Sequence, residues 1–442
     1  MMRSLWSGVA GLKTHQLEMD VIGNNIANVN TTSYKSQATG FADVLYQTVK
    51  NGTGAGDNTA TTNVSQVGLG SKVSSIYTNV TKSGSMQTTG NVMDLMITGD
   101  SFFCVTPDVR EGIVNFTRDG SFTIDAEGNL VTQNNGYYVM GQMGEGQVGG
   151  TVQAPLNVIN RTNIDYNEDG QVDSVDYLPG QATSAGYFKG NIDKFDPSLK
   201  EGKTMRIEVF GTDGKNYTIK FKLTDAGDTQ DNTYKLSVES VLDTKGNTVS
   251  TGDQESWDLL FDKHDGTLIS PTSVNFTAST EGGVVGALNL DLSYVTNYAG
   301  SSATHSSTMY GYKGNTEGLQ QGFANGVLTG ISFGTDGSIY GKYSNGQTIK
   351  KGQIVVAEFN NAMGLEKVGD NLYSASLNSG NPIYMDITED GGYMSSGVLE
   401  SSNVDLAKEF TDMITTQRGF QANSKVITTS DEMLQVLRGL KR

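Results

Sequence analysis

Two apolar stripes, one at each extreme of the chain, restrict its folding more than any other feature. Leu5, Val9, Leu12, Met19, Ile22, Ile26 and Val29 advance by alternating threes and fours, with Gln16 at the one slot that breaks the series. Near the other end Leu406, Phe410, Met413, Phe420, Ile427 and Leu434 repeat the spacing, and Gln417, Ser424 and Asp431 put polar groups in the intervening positions. A period of about 3.5 residues is the seam of a coiled coil rather than the face of a globular helix. Two unrelated surface helices are the plainer alternative. Two seams at opposite ends of 442 residues are useful to each other only if the termini meet, so the spacing predicts paired terminal helices with everything else inserted between them.

The middle of the chain has a different texture. Gly, Thr, Ser and Asn crowd it, with 55 Gly against 6 Pro in the whole sequence, as expected of short strands joined by tight turns. Met93–Ile97, Phe102–Val105, Ile113–Phe116, Phe122–Ile124 and Leu130–Thr132 are β-type runs, separated by Gly99-Asp100, Asp119-Gly120, Glu127-Gly128 and Asn135-Gly136. Further on, Arg206–Phe210 and Tyr217–Leu223 alternate around Asp213-Gly214, a hairpin signature. The fold class is therefore mainly β, with coiled-coil-type α-helices at the termini.

Charge and composition exclude several functions. With 31 basic and 48 acidic residues the formal net charge is −17, which opposes nucleic-acid binding and adsorption to anionic lipid. No apolar run is long enough to insert in a membrane. Cys104 is the one cysteine, so no intramolecular disulfide forms, and its aromatic β run points to buried packing. His15, His264 and His305 are each isolated, and no nucleophile elbow or phosphate-binding loop appears. An enzyme reading has no residue support. Arg3 followed by an apolar stretch faintly mimics a signal peptide, but Lys13, His15, Glu18 and Asp20 arrive in helical phase, so any export is expected to proceed without cleaved signal.

After the first stripe Asn24, Asn25, Asn28 and Asn30 weaken the helix, because their side chains compete for backbone hydrogen bonds. Ile26 and Val29 carry the apolar stripe through this cluster, so its polar face is expected to pair with something specific. Here the sequence resembles the rod–hook family of bacterial flagellar axial proteins. The resemblance is carried by Asn24-Asn25-Ile26-Ala27-Asn28-Val29-Asn30-Thr31-Thr32 with Tyr34-Lys35, by Ser396 to Leu406, and by Thr416-Gln417-Arg418-Gly419-Phe420-Gln421-Ala422-Asn423-Ser424. Asp94-Leu95 through Phe103, Phe116 to Gly120, and Ile339 to Thr348 are similar to the family's inner β domain. This implies terminal helical assembly regions at 1–36 and 399–442, extended connectors at 37–65 and 366–398, an inner β domain at 66–149 and 301–365, and an inserted outer β domain at 150–300. The long insertion favours a hook-type member over a rod-type one, a distal-rod type being the alternative. The resemblance further implies an extracellular homopolymer of many copies, exported by the type III route, with distal rod, hook cap and hook–filament junction proteins as neighbours. The self-assembly residues are the stripe positions above together with Asn24, Asn25, Asn28 and Asn30.

One local pattern stands apart from this. In the stretch 165–176, Asp165, Asn167, Asp169, Asp173 and Asp176 occupy positions 1, 3, 5, 9 and 12 of a calcium-type loop. Gly170 sits at the turn, and the carbonyl of Gln171 supplies position 7. The pattern predicts one structural Ca²⁺, with a solvated acidic turn as the alternative. Together with the acidity and β content it supports a rival reading, a calcium-dependent extracellular adhesion or glycan-binding module, which leaves the terminal seams unexplained.

Overall fold

The computed structural model describes residues 2–52, 54, 61–110, 112–144, 154–165, 171–226, 232–251, 255–280, 283–299 and 305–439. The chain is mainly β, with a long helix at each end: α1 at Met2–Ala27 and α2 at Leu406–Gly439. Asp405 starts α2 by accepting from the backbone N–H groups of Ala407 (3.0 Å) and Lys408 (3.3 Å), which satisfies donors that have no partner inside the helix. α1 ends in the asparagine cluster. There the Asn28 amide donates to Asn24 O at 2.9 Å, and Ser33 turns the chain with φ 56°.

Two compact units divide the chain: residues 1–159, 331–340 and 350–442 form the first, and 160–330 with 341–349 the second. The second thus extends well beyond the 150–300 segment expected from sequence. Strand pairing is the reason, since Tyr310–Lys313 bonds to Ala185–Asn191, and Gly326 and Val327 bond to Leu178 and Tyr177.

In the first unit Phe102–Thr106 pairs with Asn115–Thr117 and Tyr138–Met143, and Val356–Glu358 adds to it from far along the chain. Leu95, Ile97, Phe103, Val105, Val139, Ile354 and Val356 share one core. Phe102, Cys104, Phe116 and Phe359 form a second. Cys104 is buried, and burial pushes its thiol well above the usual range. Gly120, expected at a turn, is instead required by close approach, because a Cβ there would fall 1.7 Å from Leu95 O.

The connectors expected at 37–65 and 366–398 are β structure in large part. Gln37–Asp43 pairs with Ser71–Thr78, and Tyr46–Lys50 with Ser65–Gly68. Glu366–Gly369 and Leu372–Ser374 form a hairpin over Asp370 and Asn371, both at positive φ, and Leu372 and Tyr373 enter the first unit's cores.

The second unit contains a six-stranded and a four-stranded sheet. The strands Lys203–Phe210 and Asn216–Asp225, joined across the hairpin at Asp213-Gly214, bury Ile207, Val209, Ile219 and Phe221 on one face. From the other sheet come Phe188, Phe276, Leu288 and Leu290, and all eight belong to a single core. The alternation read in the sequence is therefore the alternation of buried and exposed positions.

Candidate assembly interface

α1 and α2 run antiparallel and touch along a face of small and polar residues. Ser4 Oγ lies 3.4 Å from Ser430 Oγ. Further along, a Cβ on Gly8 would come 3.2 Å from Ile427, one on Gly11 2.5 Å from the Asn423 amide, and one on Gly419 2.7 Å from the His15 ring. Thr416 and Ser430 are buried on this face, whereas Thr14 is buried toward the strand Ser71–Thr78, its hydroxyl 3.4 Å from Ser71 Oγ. Positions 4, 8, 11 and 15 advance at the spacing read for the stripe but sit one residue earlier, a rotation of about 100° around the helix. The stripe itself is only partly covered. Ile22 is buried at 5% exposure, whereas Val9 is 37%, Leu406 39%, Phe410 50% and Leu434 37% exposed. Leu5, Leu12, Met19, Ile26, Met413, Phe420 and Ile427 are half-buried. Trp6, Ile414, Val436 and Leu437 add exposed apolar surface beside them. His15 bonds through Nδ1 to Glu18 at 3.1 Å.

At the foot of α1 the asparagines separate by role. Asn25 is 1% exposed. Its Nδ2 donates to Gln37 O at 2.8 Å, while its Oδ1 accepts from Gln37 N at 2.9 Å and from the Tyr34 hydroxyl at 3.3 Å. One side-chain amide thus mimics a strand partner for the backbone of Gln37 and ties the helix to the start of the β structure. Asn24 and Asn30 are exposed and Asn28 half-buried.

Directly after this comes a buried ion pair. Lys35 Nζ donates to Glu400 Oε1 at 2.7 Å and to Lys82 O at 2.9 Å, with both side chains 1% exposed. Glu400 Oε1 also accepts from Gly84 N at 2.7 Å, and Glu400 O accepts from Ser33 N at 2.8 Å. The strand Val398–Glu400, held on Met86–Thr88, delivers Glu400 to this place. Burial lowers the pKa of Lys35 against the raising effect of Glu400, and the neighbouring Arg118 lowers it further. Arg118 is itself buried, donates to Gly99 O at 2.6 Å and lies 5.1 Å over the Phe102 ring. Asn403 completes the junction, its Oδ1 accepting from Ser36 N at 2.7 Å and its Nδ2 donating to Asn79 O and Lys82 O at 2.9 Å. The chain entering the first unit from α1 and the chain leaving it toward α2 are fastened at one point.

A cavity of about 400 Å³ opens beside it, lined by Asn24, Asn28, Tyr34, Lys367 and Asn371 among others. Lys367 Nζ donates to Lys35 O at 3.1 Å and lies 4.6 Å over the Tyr34 ring, and burial pulls its pKa down to about 8. Sequence reading missed Lys367, Arg118, Glu400 and Asn403 as participants. Lys367 alone lay outside every quoted motif.

The calcium-type loop falls between two paired strands, Arg161–Ile164 and Asp173–Leu178. Asn167 and Asp169 lie outside the described residues, and Asp165 and Gln171 border them. Asp173 and Asp176 sit an odd number of residues apart on one strand, so their side chains leave on opposite faces rather than converging. Asp176 is buried, accepting from Asn160 N at 3.2 Å and from the Tyr343 hydroxyl at 3.3 Å, and a cation would have to displace those bonds. Among the described residues no cluster of three or more His, Cys, Asp or Glu side chains could hold a metal, and no helix is long and apolar enough to cross a membrane.

Comparison with known proteins places matches along the whole chain. Residues 5–35 match the family described as flagella basal body rod protein, 96–174 the flagellar hook protein FlgE/F/G D1 domain, and 395–440 the flagellar basal body rod FlgEFG protein C-terminal region. The flagellar hook protein FlgE of Borreliella burgdorferi is 36% identical and that of Treponema pallidum 34% identical, each over 100% of both chains. The flagellar basal-body rod protein FlgG of Bacillus subtilis is 30% identical, also over 100% of both.

Proposed function

The chain belongs to the flagellar hook protein family, and from that premise we propose how its parts are used. It is a structural subunit of the flagellar hook, a homopolymer of the hook and basal body. In our reading the antiparallel pair of α1 and α2 is the unit that polymerises. The carrying observation is that the two helices meet through Gly8, Gly11 and Gly419 and leave Val9, Leu406, Phe410 and Leu434 exposed on the flank. Exposed apolar stripes of this kind mark surfaces that a partner covers. Helices from neighbouring copies are that partner, giving an inner tube of about 40–50 Å segments at 1.5 Å per residue. The inserted unit supplies replaceable polar contacts between copies, which let subunits slide as the polymer bends.

Distal rod, hook cap and hook–filament junction proteins are the neighbours this reading assigns, with type III export to the cell exterior and no cleaved signal. Catalysis has no place in it. Electron microscopy of the concentrated protein is the direct test: full-length chain forms tubes, and the chain lacking residues 2–22, which keeps the Asn25 and Lys35 contacts, stays monomeric with its β units folded. Tubes from the truncated chain would overturn the assignment.

Calcium binding in the stretch 165–176 is a separate proposal, with Asp165, Asn167, Asp169, Gln171, Asp173 and Asp176 as ligands, Asp176 giving up its bonds to Asn160 and Tyr343. Titration of the full chain with millimolar Ca²⁺ giving no heat removes it.

A further inference from the structure

The second unit carries a cleft that polymerisation through the terminal helices does not use. Ala185–Asn191, Gly283–Thr296 and Tyr310–Lys313 are neighbouring strands of its four-stranded sheet. Phe188, Leu290 and Leu292 from these strands enter the core, which leaves Tyr187, Asp291, Tyr310 and Tyr312 on the opposite face. In register, Tyr187 stands between Tyr312 on one neighbour and Asp291 on the other. The Tyr187 and Tyr312 rings stack at 5.1 Å and 17°, and Tyr294 meets Tyr187 edge-on at 6.3 Å. Tyr310 is 63% exposed, Tyr312 47% and Tyr294 46%.

Beside Tyr187 the surface falls into a cavity of about 440 Å³, with Asn289, Asp291, Asn315 and Gln320 among its lining residues, a size that suits a small organic ligand. Its chemistry narrows the choice. One carboxylate and no basic side chain line it, and the chain carries a net charge of −17, so an anion is repelled. Ala185 is the largest aliphatic side chain in the lining, so an apolar peptide anchor finds no complement. What remains is an aromatic wall facing amides, hydroxyls and a single carboxylate. A sugar ring matches this: its C–H face lies on a tyrosine ring, and its hydroxyls both donate and accept.

We propose that this cleft binds a neutral carbohydrate chain, one sugar held against Tyr187 among Asn289, Asp291 and Gln320, and the next running over Tyr312 and Tyr310. The site is independent of polymerisation, so it stands or falls apart from the assembly reading.

The test titrates the full chain with cellohexaose and with chitohexaose, followed by calorimetry and tyrosine fluorescence. Saturable binding of either sugar is expected, weakened at least about tenfold by Tyr187→Ala and by Tyr312→Ala, and unchanged by Tyr138→Ala in the first unit. Tyr312 is half-exposed, so its truncation leaves the fold intact, as an unchanged melting curve would verify. No saturation by either sugar at about 10 mM, far weaker than a micromolar site, overturns the proposal. So does binding indifferent to both tyrosine variants. Self-association that Tyr312→Ala abolishes in sedimentation, with no sugar binding, overturns it in favour of a contact between copies.

Discussion

The core of the second unit and the contact between the terminal helices bury opposite kinds of residue. In the former, Phe188, Ile219, Phe221, Leu236 and Leu290 are all fully buried, and polar groups stay on the strands' outer faces. In the latter, Gly8, Gly11, Thr416 and Ser430 are inside, and Val9, Leu406, Phe410 and Leu434 remain outside. Close approach of small residues gives a helix pair its geometry and some dispersion energy, but leaves most of its apolar area in water. The second unit is therefore complete as a single chain. In the proposed reading the helix pair is half of a larger contact, and its exposed stripe is what a second copy covers.

Two substitutions press on this difference from the side of stability. Glu400→Ala has the largest expected effect. It orphans Lys35 in a site 1% exposed and removes the acceptor of Gly84 N, and breaking such a buried pair costs about 3–5 kcal/mol. Phe221→Ala, in the heart of the other core, costs a similar figure of about 3–5 kcal/mol through lost burial and a cavity. Two units with separate cores predict two transitions in calorimetry, and each variant should lower a different one. A shift of both transitions by either variant would erase the distinction.

Gly11→Leu addresses the helix contact alone. Leucine improves intrinsic helix propensity by up to about 1 kcal/mol over glycine, yet its Cβ falls 2.5 Å from the Asn423 amide. The helices should separate while each becomes a better helix. With Ser4→Cys and Ser430→Cys installed where the two hydroxyls lie 3.4 Å apart, oxidation should cross-link the parent efficiently and the Gly11→Leu chain poorly. Cys104 is buried and does not compete. Undiminished cross-linking would show that the glycine face is not the contact.

What the sequence could reveal follows the same division. Ile207, Val209, Ile219 and Phe221 alternate around Asp213-Gly214, so the hairpin was legible from residue type alone. The existence and pairing of the terminal helices were legible too, since Leu5 to Val29 and Leu406 to Leu434 keep a helical period. Which face pairs was not. Seam rules score apolar side chains, and Gly8, Gly11 and Gly419 enter them as blanks, although their spacing from Ser4 and His15 repeats the same period one residue earlier. The junction was harder still, because Lys35 and Glu400 are 365 residues apart and a single charge carries no period. The arm from Tyr46 to Lys50 was read as a connector because every residue of that strand is exposed, leaving no alternation to see. The calcium-type pattern was legible as spacing alone, and its last two positions, Asp173 and Asp176, fall on the strand Asp173–Leu178.

The smallest expected effect separates the two regions by pH. Glu409, in the first turn of α2, has its pKa raised, chiefly by burial, with Asp412 and Asp405 adding to the rise while the Asn25 amide and Lys408 oppose it. A carboxyl whose pKa is higher in the folded state binds its proton more tightly there. Stability therefore falls as pH rises from the ordinary carboxylate range through the folded value, and the cost is fully present above it. Asp196 in the second unit behaves in reverse. Burial would raise its pKa, but hydrogen bonds from Ser198 and Ser307 outweigh that and hold it well below the usual range, so its contribution is present at neutral pH and lost in acid. Acidification from neutral toward pH 4 should thus tighten the foot of the helix pair before it weakens the second unit. Glu409→Gln should remove the Glu409 part of that slope, seen as a flatter pH dependence of amide-exchange protection around Asn25 and Glu409. The Asp196→Asn variant should instead change only the acid limb of the second unit's melting curve. If Glu409→Gln leaves the slope at the helix foot unaltered, the carboxyl is not held against Asn25 and the contact ends further up the helices.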